Sequence, residues 1–235
     1  MAHDTLAVVP TYNEAESLPV LIEHLMRIDG LKVLVVDDDS PDGTGQIADE
    51  LAASSDGRIS VLHRTTDRGL GRAYVAGLLE ALETQARFIC QMDADLSHDP
   101  SSIPGMVRRA ADADVVVGSR YVNGISVVNW PLRRLVMSLG ANRYVRFVTG
   151  IAVNDATSGF RCWRREALAQ IELASLRSRG YSFLVEMLYR VHRRDLRIAE
   201  EPIIFVERRH GRSKLSAGVF LESLWTPWRL RFGRS

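Results

Sequence analysis

The stretch FICQMDADLSHDP, residues 88–100, decides how the chain is read. It opens on a short apolar run, FICQM, bounded by polar residues, which reads as a buried strand. The run ends on two carboxylates one residue apart, Asp93 and Asp95, flanking the small Ala94. Alternation along a strand would point both to the same side. Like charges that close repel unless a cation or a shared proton separates them. Mg²⁺ typically takes one or two carboxylates and completes its shell with phosphate oxygens and water, so an Asp-X-Asp at a strand tip suits a metal-bound nucleotide diphosphate. Competing readings are a helix N-cap or Asx-turn, because Asp99-Pro100 follows, and a catalytic acid–base pair, which needs separated carboxylates with divergent pKa values.

Outward from this stretch the same arrangement repeats. LAVVP (6–10), KVLVV (32–36), ISVLH (59–63) and DVVVGSR (114–120) read as strands. SLPVLIEHLMRI (17–28) places Leu18, Leu21, Ile22 and Leu25 at helical spacing, with Ser17 as the expected N-cap. GQIADELAAS (45–54), AYVAGLLEALE (73–83) and PSSIPGMVRRAA (100–111) read as further helices. Continuous apolar strands separated by helices predict an α/β fold, a mainly parallel sheet covered by helices on both faces. Ligands in such sheets bind beyond the carboxyl ends of the strands. Here every strand ends in a polar loop: PTYNEAE, DDDSPDGT, RTTDRGLG, DADLSHDP and SRYVNG.

The second half is less regular. PLRRLVMSLGANRYVRFVTG (131–150) reads as a basic helix with Leu132, Leu135, Val136 and Leu139 on one face, and NDATSGFRCWRR (154–165) as a loop entering a strand. YSFLVEMLYRVHRR (181–194) is amphipathic and basic, RIAEEPIIFVERR (197–209) strand-like and HGRSKLSAG (210–218) a polar loop. The end, residues 219–235, carries Phe220, Leu221, Leu224, Trp225, Trp228, Leu230 and Phe232 with three arginines.

A chain of 235 residues suffices for one large domain or a domain with an extension. Two cysteines, Cys90 and Cys162, cannot form a disulfide framework and point to a reduced, intracellular setting. The first residues carry no signal-peptide pattern, and no window reaches the ~18 apolar residues of a membrane span. The net charge of +1 hides an asymmetry: residues 1–130 hold 10 Lys+Arg against 20 Asp+Glu, and residues 131–235 hold 20 against 9. Either one fold has two differently decorated faces, or the acidic half holds a cation and the basic half meets an anionic partner.

Two more loops bear on chemistry. The acidic cluster VVDDDSPDGT (35–44) suits ribose hydroxyls and a base edge; a receiver-type acidic pocket is the rival, and Asp42-Gly43 also reads as a plain turn. PTYNEAE supplies Tyr12 and Glu14, either beside a base or ribose or as a helix-start loop. There is no G-x-G-x-x-G after the first strand and no phosphate-binding G-x-x-x-x-G-K-[ST].

Taken together, VVPTYNEAESLP, VVDDDSPDGT, RGLGRAYVAGL, QMDADLSHDP, GSRYVNG, NWPLRR, DATSGFR and RRHGRSKL occur in an order and spacing that resemble the dolichol- or polyprenol-phosphate mannose synthases. These are inverting family-two glycosyltransferases with the GT-A nucleotide-sugar fold. The likeness runs from about residue 5 to 220. It implies a single GT-A catalytic domain over 1–219, with a nucleotide- and metal-binding half (1–120), an acceptor-binding half (121–219) and an amphipathic C-terminal segment (220–235).

The resemblance implies the following roles. Pro10, Tyr12, Glu14, Val36 and Asp38 would hold the guanosine part of GDP-mannose. Asp93, Ala94 and Asp95 would meet a divalent metal, Mg²⁺ or Mn²⁺, and the diphosphate. Ser97 stands where the family often has Gln and would also touch the metal. Arg120 would lie near the donor's sugar or phosphates, and Arg208 and Lys214 would bind phosphate from a loop closing over the donor. Arg134 and Ser138 would face the acceptor phosphate, while Asp155 and Glu186 orient groups or shape the acceptor site. The implied reaction moves mannose from GDP-mannose to a polyprenyl phosphate, on the cytoplasmic face of a membrane that the chain touches peripherally or through an anchoring subunit, with no nucleic-acid partner. The alternatives are another donor such as UDP-glucose, or a nucleotide-sugar binding module without turnover.

Overall fold

A computed structural model describes residues 4–176, 178, 180, 182–207 and 217–233. Its main sheet has seven strands in the order β3-β2-β1-β4-β7-β5-β8. They are β1 (Thr5–Thr11), β2 (Lys32–Asp37), β3 (Ile59–His63), β4 (Phe88–Gln91), β5 (Val115–Ser119), β7 (Arg161–Arg164) and β8 (Ile198–Pro202). A separate parallel pair joins β6 (Val127–Val128) to β9 (Phe205–Val206).

Burial on both faces explains the uninterrupted apolar strands. Along β1, Leu6 and Val8 point into one core while Ala7 and Val9 point into the other, and β2 divides Leu34 and Val36 from Val33 and Val35 in the same way. Each aliphatic side chain so buried contributes roughly 1.5–3 kcal/mol. Helices α1 (Leu18–Met26), α2 (Thr44–Ala53) and α4 (Ile103–Arg109) cover one face, and α3 (Leu70–Glu83), the short α6 (Arg165–Ala169) and α7 (Ser182–Arg193) the other. Gly77 lets α3 lie directly on the sheet: a Cβ there would sit 2.5 Å from Val8 Cγ1 and 2.7 Å from Val36 Cγ2.

Three features differ from the sequence expectations. Ser17 makes no capping hydrogen bond; its hydroxyl donates to Glu14 Oε2 (2.5 Å) instead, bracing the loop before α1. β4 stops at Gln91, so Asp93 and Asp95 sit in the turn beyond it and converge through that turn rather than through strand alternation. In α5 (Leu132–Thr149) the buried residues are Asn142, Val145, Val148 and Thr149 near the C-terminal end, whereas Leu132 is 74% and Val136 60% exposed. Proline 227 lies inside the last helix, α8 (Ala217–Phe232), which packs on α5 and α7.

Strand β7 is antiparallel to both neighbours, β4 and β5. It pairs Arg161 with Gln91 and Arg164 with Phe88, so it enters the sheet at the end where β4 finishes. The loop preceding it, residues 154–160, is thereby delivered to the same rim as the Asp93–Asp95 turn. Gln91 fixes this junction: its Nε2 donates to the Gly159 carbonyl (3.1 Å) and its Oε1 accepts from Trp163 Nε1 (2.9 Å).

Candidate active site

A cavity of about 350 Å³ opens over the carboxyl ends of β1, β2 and β4, within the size range of small-molecule sites. Pro10, Tyr12, Glu14 and Asp38 form one end, Asp93, Ala94 and Asp95 the other, and Arg68, Gly69 and Leu70 at the start of α3 close the side. Seven residues assigned to donor and metal by resemblance therefore share one cavity. Val36 does not: its side chain is fully buried against α3.

The acidic loop after β2 is held by its own side chains. Asp37 accepts from Ser40 Oγ (2.6 Å) and Thr11 Oγ1 (3.2 Å), and Asp42 from the Thr44 hydroxyl (2.6 Å) and the Ala15 amide. Burial opposes charge on Asp42, but these donors prevail and hold its pKa below the ordinary carboxylate value. Asp38 bridges two elements, pairing with Arg64 and accepting from the Gly69 amide (2.6 Å). Its carboxylate thus fixes the loop that leads into α3. Arg68 pairs with Asp39 at the cavity edge.

At the other end, Asp93 accepts from the Tyr74 hydroxyl (2.7 Å), and Tyr74 stacks on Phe183. Asp95 is nearly buried and accepts from the Ser97 amide (3.1 Å) and hydroxyl (2.5 Å). Ser97 thus orients Asp95 directly. Among the described residues no group of three or more His, Cys, Asp or Glu is placed to hold a metal unaided. The donor set at this turn is two carboxylates in a cavity open on one side, which fits a hard divalent ion that draws its remaining ligands from phosphate and water. His98 lies directly beneath: its Nδ1 accepts the Asp93 amide (3.3 Å), placing the ring proton on Nε2. Burial pushes its pKa below the ordinary value against the pull of Asp93 and Asp95.

Arg120 is buried in a bidentate pair with Asp155, Nε and Nη2 each 2.6 Å from a carboxylate oxygen, and its Nη2 also donates to Thr157 Oγ1 (2.9 Å). Burial would lower the guanidinium's pKa; Asp155 outweighs it and raises it. The guanidinium also lies 5.4 Å from the ring centroids of Tyr121, Trp130 and Phe205. Asp155 is thus occupied as a counter-ion, and Glu200 secures its loop by accepting from the Asn154 and Asp155 amides. Arg161, fully buried, donates to the carbonyls of Ala156, Ser158 and Leu184; burial pulls its pKa down to about 9, so it stays charged at neutral pH.

On α5, Arg134 pairs with Glu207 and lies 4.1 Å from the Trp130 ring centroid. Ser138 accepts from the Tyr121 hydroxyl (2.7 Å), whose pKa burial pushes above the ordinary tyrosine value. Both are thereby joined to Arg120 through Trp130 and Tyr121. Glu186 pairs with Arg190 (2.8 Å) and accepts the Ser178 amide, a structural role. Arg208 and Lys214 lie outside the described residues. Tyr74, His98 and Arg68 were not singled out from the sequence: the first lies in a helical apolar pattern, the second inside the quoted acidic stretch, and only the fold brings them to the site.

A sheet with helices on both faces, a strand-end cavity and an Asp-X-Asp turn at its rim defines a nucleotide-sugar transferase of the GT-A type. The chain belongs to glycosyl transferase family 2, whose model matches residues 6–172. It is 42% identical over 231 residues to the polyprenol monophosphomannose synthase of Mycolicibacterium smegmatis, covering 97% of this chain and 87% of the relative. It is 45% identical over 220 residues to the undecaprenyl-phosphate mannosyltransferase of Micrococcus luteus, covering 93% and 90%. Among solved structures, glucosyl-3-phosphoglycerate synthase from Mycobacterium tuberculosis, in complex with Mn²⁺, UDP and glucosyl-3-phosphoglycerate, superposes with a TM-score of 0.68 at 19% identity, covering 98% of this chain and 80% of that one. A mannosyltransferase from Pyrobaculum calidifontis in complex with GDP-Man and Mn²⁺ gives 0.59 at 18%, covering 98% and 70%. At such identities the structural likeness speaks for the fold.

Proposed function

We propose that the protein transfers mannose from GDP-mannose to a polyprenyl phosphate, with inversion to the β-mannosyl phosphate. The observation that carries this is the cavity with Tyr12 and Glu14 at one end and Asp93 and Asp95 at the other, in a chain whose curated relatives are named as polyprenyl-phosphate mannose transferases. In this reading Tyr12, Glu14 and the neighbouring loop hold the guanosine, and Asp93 and Asp95 hold a divalent ion. That ion, when bound, offsets the diphosphate's charge as GDP departs. Tyr74 and Ser97 fix the two carboxylates in place. Arg134 and Ser138 meet the acceptor phosphate, where an arginine's planar fork matches phosphate oxygens. That nucleophile needs no strong base, because a phosphomonoester is already largely doubly ionised near neutral pH with a second pKa of about 6. Both Asp155 oxygens are engaged by Arg120, in accord with a mechanism that draws on no carboxylate base there.

The acceptor's lipid places the reaction at a bilayer. No helix among the described residues is long and apolar enough to cross a membrane. Exposed Leu132, Val136 and Phe147 on α5 and Trp225 and Phe232 on α8 lie among arginines, the composition of an interfacial surface. We infer a peripheral seat on anionic lipid. Vesicle pelleting that requires added membrane protein would assign anchoring to a separate subunit instead.

The deciding assay supplies radiolabelled GDP-mannose or UDP-glucose with short and long polyprenyl phosphates and follows label into the organic phase. Transfer from GDP-mannose alone is expected. Transfer only from UDP-glucose would replace the donor, and tight nucleotide binding without transfer would leave a binding module.

A further inference from the structure

Outside the residues assigned above, the group that touches most of the site is His98. It is 2% exposed, and it contacts two parts of the site's framework. On one side its Nδ1 accepts the Asp93 amide, the first residue of the acidic turn. On the other its ring lies 5.1 Å from Phe160 and 5.3 Å, edge-on, from Phe205. Phe205 in turn meets Trp130 edge-on at 5.4 Å and sits under the Arg120 guanidinium. The main chain follows the same route: His98 bridges to Phe205, and the Val206 amide donates to the Ser97 carbonyl (3.2 Å). The turn between them is under tension, for Leu96 has a φ of 61°, a left-handed conformation that an L-leucine adopts only when its surroundings impose it.

We propose that His98 is a positioning residue that couples the Asp93–Asp95 turn to the aromatic wall formed by Phe205 and Trp130 beside Arg120. The proposal rests on the metal and acceptor roles given above. An ordinary core histidine would need only a hydrogen-bond partner for its ring. This one makes its bond to the amide of a metal-turn residue and packs on Phe205, which meets the Trp130 ring beneath Arg134 of the proposed acceptor site, so it links the two sides of the site. Partners of this kind behind metal ligands typically alter metal affinity about tenfold or more when removed.

The two edges can be separated in the full-length protein. His98→Phe keeps a ring and removes the acceptor; His98→Asn keeps an acceptor near the Nδ1 position and removes the ring. Mn²⁺ binding in the presence of GDP, followed by electron paramagnetic resonance, reads the first edge, and the KM for a short polyprenyl phosphate reads the second. His98→Phe is expected to weaken Mn²⁺ binding about tenfold and leave the acceptor KM within about twofold of wild type. His98→Asn is expected to do the reverse, raising the acceptor KM severalfold with Mn²⁺ affinity retained. Circular dichroism and melting temperature correct each value for folded fraction. The proposal is overturned if both variants match wild type in both readouts, or if both lose the two in parallel. A wild-type chain that transfers no mannose removes the functional reading and this coupling with it, whereas active wild type with unaltered variants removes only the coupling.

Discussion

The buried pair of Arg120 and Asp155 makes the sharpest prediction, because stability and activity answer to it in different ways. The Asp155 side chain is fully buried and that of Arg120 is 9% exposed, so solvent screens neither. Asp155→Asn keeps the shape and one accepting oxygen but leaves the guanidinium's charge uncompensated. Breaking a buried pair from one side costs about 3–5 kcal/mol, and the retained acceptor puts this variant at the low end, about 3 kcal/mol. For a chain of this size each kcal/mol lowers Tm by about 2–4 °C, so calorimetry should show a fall of about 6–12 °C. The control replaces both partners with apolar residues, Arg120→Met with Asp155→Leu. Apolar replacement of a buried pair is often neutral or stabilising. The Asn142 and Thr157 bonds to Asp155 are lost as well, so the double variant should regain most, but not all, of the lost stability. Transfer should fall in both, since both lose a fixed guanidinium beside Trp130 and Phe205. A single variant within about 1 kcal/mol of wild type, or a double variant less stable than the single, would refute the claim that Asp155 is the chief partner of the buried charge.

Three further outcomes are expected. Asp95→Asn should lower kcat/KM at saturating Mn²⁺ by ~100-fold or more, about 3 kcal/mol of transition-state stabilisation; chelation should abolish wild-type transfer, and added Mn²⁺ should restore it. Tyr74→Phe removes the hydroxyl on Asp93 and should weaken Mn²⁺ binding about tenfold in a titration with GDP present, with little change in acceptor KM. Gly77→Ala drives a methyl group into Val8 and Val36; overpacking of this kind costs about 1–3 kcal/mol, to be read as a lower Tm with unchanged KM for both substrates.

Much of the fold was legible because its signals are local. Leu18, Leu21, Ile22 and Leu25 are all buried, as their helical spacing predicts, and runs such as KVLVV form strands covered on both faces. The acidic loops at strand ends could be read for the same reason, since the connection rules of parallel sheets send them to one rim. What escaped is non-local. The four-residue RCWR gives no sign of running antiparallel, and of the stripe Leu132, Leu135, Val136 and Leu139 on α5 the first and third are exposed and the other two only half-buried. Val36 sits next to the acidic loop in sequence, yet alternation turns it into the core under α3. Tyr74 reaches the site only through its tertiary contact with Asp93, whereas His98 meets the Asp93 amide within the same turn and escapes notice because the turn's geometry, not a residue pattern, aims its ring.

The reversal of β7 explains how one sheet can serve two anionic substrates. In an all-parallel sheet, neighbouring strands bring their helix connections to the opposite rim, and the loop before a strand lies away from the ligand. Because β7 runs against β4, its preceding loop arrives at the ligand rim instead. Gly159 in that loop lies beside Asp93, where an added Cβ would make ordinary contact with the carboxylate at 3.6 Å, and Asp155 in the same loop fixes Arg120 at the end of β5. The loop therefore borders the Asp93 carboxylate and holds the Arg120 guanidinium at once. In the proposed reaction an acceptor phosphate oxygen must reach the anomeric carbon on the face opposite the departing diphosphate, and surface charges on mobile loops would lose the needed alignment to conformational freedom. A loop pinned by Gln91, Arg161 and Glu200 fixes Arg120 through Asp155 while it borders the Asp93 turn, so the guanidinium's place beside that turn is set in the folded chain before either substrate arrives.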